Sequence, residues 1–321
     1  MRIPRASWAV ACGLASLFIC RRAGADETTP PTPPPPARSA PYSLPWQLRP
    51  IIAPRVVRAE TSIARYEDAA GNAGTTVASV LTASYRLGDA KDLTGVAPVV
   101  RLAWVTDDPP PGERTRGGAT FVNPLVGVSY AARIDELRLG AFLGATVPVG
   151  GGGGDSPDRG SANSRAKGAN ARAQLDNALF AVNDFTLIPG LAAAWVGGGL
   201  TVQVEATVLH LIRVRGEAVQ QEATKTNFTT GAHVGYFFIP ALSFGAELRY
   251  QRWLNPPLAV EKDATGATRD NLTMALGPRA HVKLGGVWLR PGVSYQRGLD
   301  KPLAASTPNH HIVQIDVPVL F

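Results

Sequence analysis

Arg58, Arg86, Arg101, Arg133, Arg138, Arg213, Arg215, Arg249, Arg279, Lys283 and Arg290 fall on one parity of alternating segments spread along the chain. Glu60, Glu205, Glu247 and Asp316 share that parity. Residues two apart on an extended strand point the same way, so these side chains would share one surface. A wall with such an excess of cations concentrates anions, as charged clefts do. Arg58, Arg101, Arg138, Arg213, Arg215, Arg249, Arg279, Lys283 and Arg290, with Glu205 and Glu247, are therefore the expected selectivity residues of a passive conduit for small anionic solutes. Pairing of the same Arg and Glu side chains into a plugged, non-conducting interior stays open as the alternative.

Catalytic and metal chemistry have thinner support. His233 and His281 take the polar parity with no ligand at metal spacing beside them. His310 and His311 are adjacent, so on a strand they point to opposite faces. His210 and His311 sit on the apolar parity without a neighbouring Ser nucleophile. Gly150 to Gly154 is glycine-rich, but no Gly-Lys-Ser or Gly-Lys-Thr follows, which argues against a nucleotide site. No enzyme, cofactor or metal is expected.

The elements that must position these residues are strands. In Leu200 to Arg215, Leu200, Val202, Val204, Ala206, Val208, Ile212 and Val214 oppose Thr201, Gln203, Glu205, Thr207, Arg213 and Arg215. Such period-two alternation marks a half-buried strand. Soluble strands run about five or six residues, whereas a tilted bilayer crossing takes about nine to eleven. Twelve segments of the longer kind emerge: 56–66, 75–87, 96–107, 120–134, 137–149, 185–196, 200–215, 227–239, 242–254, 271–284, 287–298 and 310–321. The expected fold is all-β, an antiparallel up-and-down transmembrane β-barrel, and the even count suits a bacterial single-chain barrel.

The connections fit that topology. Those at 88–95, 135–136, 197–199, 240–241 and 285–286 are short, as periplasmic turns should be. Those at 108–119, 150–184, 216–226, 255–270 and 299–309 are longer, and 67–74 alone is not. Aromatics on the apolar parity then gather at two levels: Trp104, Phe121, Phe228, Tyr250 and Tyr295 outside, and Tyr85, Tyr130, Trp195, Tyr236, Phe238 and Phe321 on the periplasmic side. The loop 150–184 is longer than a connection needs, so it could fold inward as a constriction or stand outward as a recognition surface, with a short helix over 169–180. Pro98, Pro124, Pro148, Pro189, Pro278, Pro291 and Pro318 lie inside the expected strands, and some of them should mark bulges or strand ends.

The N-terminus adds a location. Arg2 and Arg5, an apolar run to Cys20 and Ala23-Gly24-Ala25 read as a cleaved secretory signal peptide, residues 1–25. Four of the 32 Lys and Arg leave with it while all 25 Asp and Glu stay, so the net charge falls from +7 to +3 and the case for a nucleic-acid partner disappears. Cys12 and Cys20 are the only cysteines, so the mature chain would have no disulfide. Residues 26–46 are rich in Pro, Thr and Ser and read as a disordered periplasmic linker, leaving 47–321 as the barrel.

The chain ends on Phe321, with Val319, Val317, Ile315 and Val313 at every second position before it. This resembles the C-terminal β-signal of Gram-negative outer-membrane barrels, with Val319 where an aromatic is common. The resemblance implies the outer membrane as location, with barrel-assembly machinery, periplasmic chaperones, outer-membrane lipids and lipopolysaccharide as partners. The stretch Val234 to Leu254 (VGYFFIPALSFGAELRYQRWL) is also similar to uncharacterised myxobacterial barrel proteins.

Overall fold

A computed structural model describes residues 41–68, 70–88, 93–111, 117–300, 303 and 310–321. The expected signal peptide and the linker up to residue 40 lie outside the described residues. The strands are β1 (Val56–Glu67), β2 (Ala73–Ser84), β3 (Gly95–Asp108), β4 (Gly118–Phe121), β5 (Leu125–Ile134), β6 (Leu137–Thr146), β7 (Asp184–Gly197) and β8 (Leu200–Arg213). They continue with β9 (Thr224–Ile239), β10 (Leu242–Asn255), β11 (Asp270–Ala280), β12 (Val282–Leu284), β13 (Val287–Leu289), β14 (Gly292–Gly298) and β15 (His311–Leu320). All pair antiparallel with their neighbours, and β1 pairs with β15 from Val56↔Leu320 to Arg65↔His311, which closes the sheet. The 15 strands make a barrel of 12 staves, because β4 with β5, β11 with β12, and β13 with β14 each form one crossing.

Those three breaks correct the sequence expectation of unbroken strands at 120–134, 271–284 and 287–298, and proline explains two of them. Pro124 separates β4 from β5, and Pro291 lies between β13 and β14. Proline cannot donate to the ladder but can still accept. Accordingly the carbonyls of Pro98, Pro124, Pro291 and Pro318 take N–H groups from Tyr85, Val147, Ala280 and Arg290. Pro189 and Pro278 sit where the β7–β8 and β11–β14 ladders skip residues, and Pro148 lies past the end of β6.

Burial is inverted relative to a soluble protein. Along β8, Thr201, Gln203, Glu205 and Thr207 are buried while Val202, Val204 and Ala206 are exposed. Trp104, Phe121, Tyr85, Tyr130, Trp195, Tyr236, Phe238 and Phe321 are exposed on the outer surface, as an aromatic girdle requires. On β15, Val313, Ile315 and Phe321 face out while Ile312, Gln314 and Asp316 are buried inside.

The interior is not uniformly polar. Ala64, Ala78, Val80, Ala103, Val105, Leu209, Leu211 and Ile312 take inward positions near the end with the long connections and form a core with residues from 171–182. A second core near the end with the short turns joins Tyr42, Leu44, Ile51, Ile52 and Ala53 to Ala97, Ala131, Ala194, Val196 and Leu320. Along β1, β3 and β15 the charged residues Arg58, Glu60, Arg101 and Asp316 lie between the two.

Candidate functional site: the barrel interior

Residues 42–53 occupy the half of the lumen at the short-turn end. This includes Tyr42 to Trp46, the last part of the stretch read as linker. The segment has no regular structure, so its backbone donors need partners elsewhere. The wall supplies them through carboxylates. Glu247 accepts the N–H groups of Trp46, Gln47 and Leu48, the last two at 2.8 and 3.3 Å. Glu205 accepts the Arg49 N–H at 2.7 Å and the Arg49 guanidinium at 2.8 Å. Thr201 Oγ1 takes the Ser43 N–H at 3.0 Å, while Tyr42 Oη donates to Gln203 Oε1 and accepts from the Ile51 N–H at 2.9 Å. Burial pushes the Tyr42 phenol above its ordinary range, which keeps it a neutral donor. His233, fully buried on β9, lies 3.0 Å from Glu247 and completes the latch.

Glycine makes the room. A Cβ on Gly231 would stand 2.7 Å from Leu48 Cδ2, on Gly190 2.9 Å from Arg49 Nη2, and on Gly140 3.0 Å from Ile51 Cγ2. On Gly235 it would overlap Ser43, and on Gly292 Trp46. Inward glycines on β6, β7, β9 and β14 therefore shape a bed for this segment. They were the sequence signal for it.

The loop between β6 and β7 fills the other half, at the end with the long connections. Helix α1 (Arg159–Ala171) starts on Asp158, whose carboxylate accepts the Ser161 N–H at 2.8 Å. Ser164, Gly168 and Ala171 are its buried residues, and a Cβ on Gly168 would clash with Val105 of β3. That stripe of small residues lets the helix lie against the wall. The helix is longer than expected and begins earlier than residue 169; α2 (Asn177–Phe180) follows it. Between them Ala173 and Gln174 have φ of 53° and 56°, a costly conformation for residues with a Cβ. Their carbonyls are held by Asn271 Nδ2 at 3.3 Å and Gln251 Nε2 at 2.6 Å.

Ion pairs join the loop to the wall. Arg172 reaches Glu60 and Asp176, both at 2.8 Å, and Arg101 reaches Asp176 at 2.8 Å. Arg249 donates to the Leu175 carbonyl at 3.0 Å. Burial alone would raise the Asp176 carboxyl, but Arg101 and Arg172 outweigh it and hold it well below the usual carboxylate range. A depressed carboxyl contributes fully above its ordinary value of about 3.9 and is lost only as pH falls through the lowered one. Loop docking should therefore not change between pH 8 and 5. A nitroxide on Ala166→Cys, in a chain whose other cysteines are Cys12 and Cys20, checks this. A mobile spectrum at pH 5 would contradict it.

The expected selectivity residues are mostly drawn into this filling. Arg58 pairs with Glu60 at 2.9 Å and Asp316 at 2.7 Å, and Arg279 pairs with Asp316 while its guanidinium lies 4.2 Å above Trp46. Arg138 is buried over the Tyr42 ring. Arg215 binds the carbonyls of Val182 and Gly150, and Arg213 binds Glu217 and the Gln220 carbonyl. Arg290 and Lys283 both lie near the Trp288 ring, and Lys283 is exposed beside the turn at Gly285, away from the buried wall. Arg49 and Arg172, which the alternation could not flag, join the same belt.

Between the two fillings remains a cavity of about 120 Å³, bordered by Trp46, Arg49, Arg58, Glu60, Arg101 and Arg172.

No family model and no curated protein sequence matches the chain. The fold is similar to the COG4313 outer membrane channel from Pseudomonas putida F1, with a TM-score of 0.56, 11% identity and coverage of 86% of this chain and 97% of that one. It is also similar to the NanC porin (TM-score 0.48, 10% identity, 83% and 98% covered). The translocator domain of autotransporter NalP from Neisseria meningitidis gives 0.47, 11%, 83% and 87%. At such identities the likeness concerns the fold alone, a closed antiparallel β-barrel.

Proposed function

We propose that the protein is an outer-membrane channel closed at rest by two barriers in series, the segment 42–53 and the loop 150–183, and that small anionic solutes pass when both are displaced. The observation that carries this is the cavity between them, lined by four guanidinium groups and enclosed by pieces held by hydrogen bonds and ion pairs. An uninterrupted apolar core would offer no such compartment. The cations that suggested an open anionic pore are largely paired with Glu60, Glu205, Asp176 and Asp316, so the anion preference belongs to the opened lumen, from which Asp176 departs with the loop. Transport, not catalysis, is the activity proposed.

The inner barrier can be loosened without touching a charge. Gly235→Leu should wedge against Ser43 and lift the segment from Glu247. A Leu48→Cys probe should be inert to a membrane-impermeant maleimide in the parent, and become reactive at least tenfold faster with Gly235→Leu. Equal reactivity in both would count against a seated segment.

A further inference from the structure

A second cavity, about 390 Å³, opens at the outer mouth between the loop, the ends of β9 and β10, and the connection after β8. Its apolar lining is Phe180, Val182, Leu211, Val219 and Trp253. Arg165 of α1 also lines it. That guanidinium donates from Nη1 to the Phe180 carbonyl at 2.9 Å, and its Nε is buried without a partner. Among the described residues no carboxylate forms an ion pair with it. Asp184, the acid in the same cavity wall nearest in role, already holds Lys225 at 2.6 Å and Gln220 at 2.7 Å. Glu222 turns instead to the Leu258 N–H. Most inward arginines here spend their donors on carboxylates or on several carbonyls, whereas Arg165 spends one. Burial lowers its pKa, and the Asp184 carboxylate, already engaged by Lys225, offsets only part of that.

We propose that this mouth cavity is a binding site for a small organic monoanion, its carboxylate or sulfonate on Arg165 and its apolar body against Phe180 and Trp253. A planar guanidinium takes a carboxylate through two parallel N–H bonds, which suits an arginine with unused donors. Apolar walls with a few placed polar groups are the usual form of a small-ligand site, and here Asp184 and Lys225 already engage each other, which leaves Arg165 to receive the anion. The site lies in front of the closed lumen, so it stands whether or not the lumen opens.

Calorimetry on the full chain in lipid nanodiscs tests it, with cyclohexanecarboxylate as probe and cyclohexanecarboxamide as its neutral match. The parent should bind the carboxylate saturably, one per barrel, and at least tenfold more tightly than the amide. Arg165→Gln should lose that preference and Arg165→Lys should keep part of it. Val219→Trp, at an exposed position on the facing connection, should block both probes while leaving α1 untouched. Absence of saturable binding in the parent would overturn the proposal. So would an unchanged carboxylate preference in Arg165→Gln, or undiminished binding in Val219→Trp.

Discussion

Excising residues 41–53 and replacing 151–182 by a short Gly-Ser turn should convert a silent barrel into a steadily conducting one, whereas either change alone should leave it nearly silent. The two fillings lie at different depths, one packed against Ala97, Ala131 and Ala194 and the other against Ala78, Val105 and Leu211. Barriers in series each suffice. With both gone the wall retains Arg58, Arg101, Arg138, Arg249 and Arg279 against Glu60, Glu205, Glu247 and Asp316, so the open form should prefer chloride over potassium. The preference should weaken as salt screens the wall. Planar-bilayer recording of the four proteins reads the result directly. Full conductance after a single change would mean that the barriers are not in series, and silence after both would favour a structural barrel.

Arg279→Glu should be the most damaging single substitution in the lumen. Asp316 is fully buried on β15 between Arg58 of β1 and Arg279 of β11, so this trio ties strands on both sides of β15 at the closing seam. Removing one partner of a buried ion pair costs about 3–5 kcal/mol because the other charge is left uncompensated. Here a second carboxylate would face Asp316, and the cation over the Trp46 ring would be lost as well. From the sequence this residue looked like a selectivity filter, for which the same substitution would change ion preference in a stable protein. The geometry predicts a barrel that unfolds at lower temperature and denaturant concentration, seen as a shift of the folded band in unheated SDS gels. Pairing Arg279→Glu with Asp316→Arg should recover part of the loss. A fully stable Arg279→Glu protein with altered selectivity would contradict this account.

The wall was legible and the filling was not, for a physical reason. Strands write their two faces into the sequence at period two, and lipid on one side makes the contrast strong in stretches such as Leu200 to Arg213. Even the prolines that seemed to oppose the reading fall where ladders skip or end. Tyr42 to Ala53 has no period, because an irregular segment takes its partners one at a time from distant strands. Its complement was written elsewhere, in Gly140, Gly190, Gly231 and Gly235 on inward positions, where lack of a side chain signals close approach of another backbone. Likewise Arg101 and Arg249 look like unpaired lumen cations until Asp176 and the Leu175 carbonyl arrive on the loop.

Single-channel recording of the unmodified full-length protein across a planar bilayer tests the closed, two-barrier interior most directly. A silent baseline with at most rare, brief openings is the expected result. Steady, ohmic, anion-selective current from the unmodified protein would contradict it.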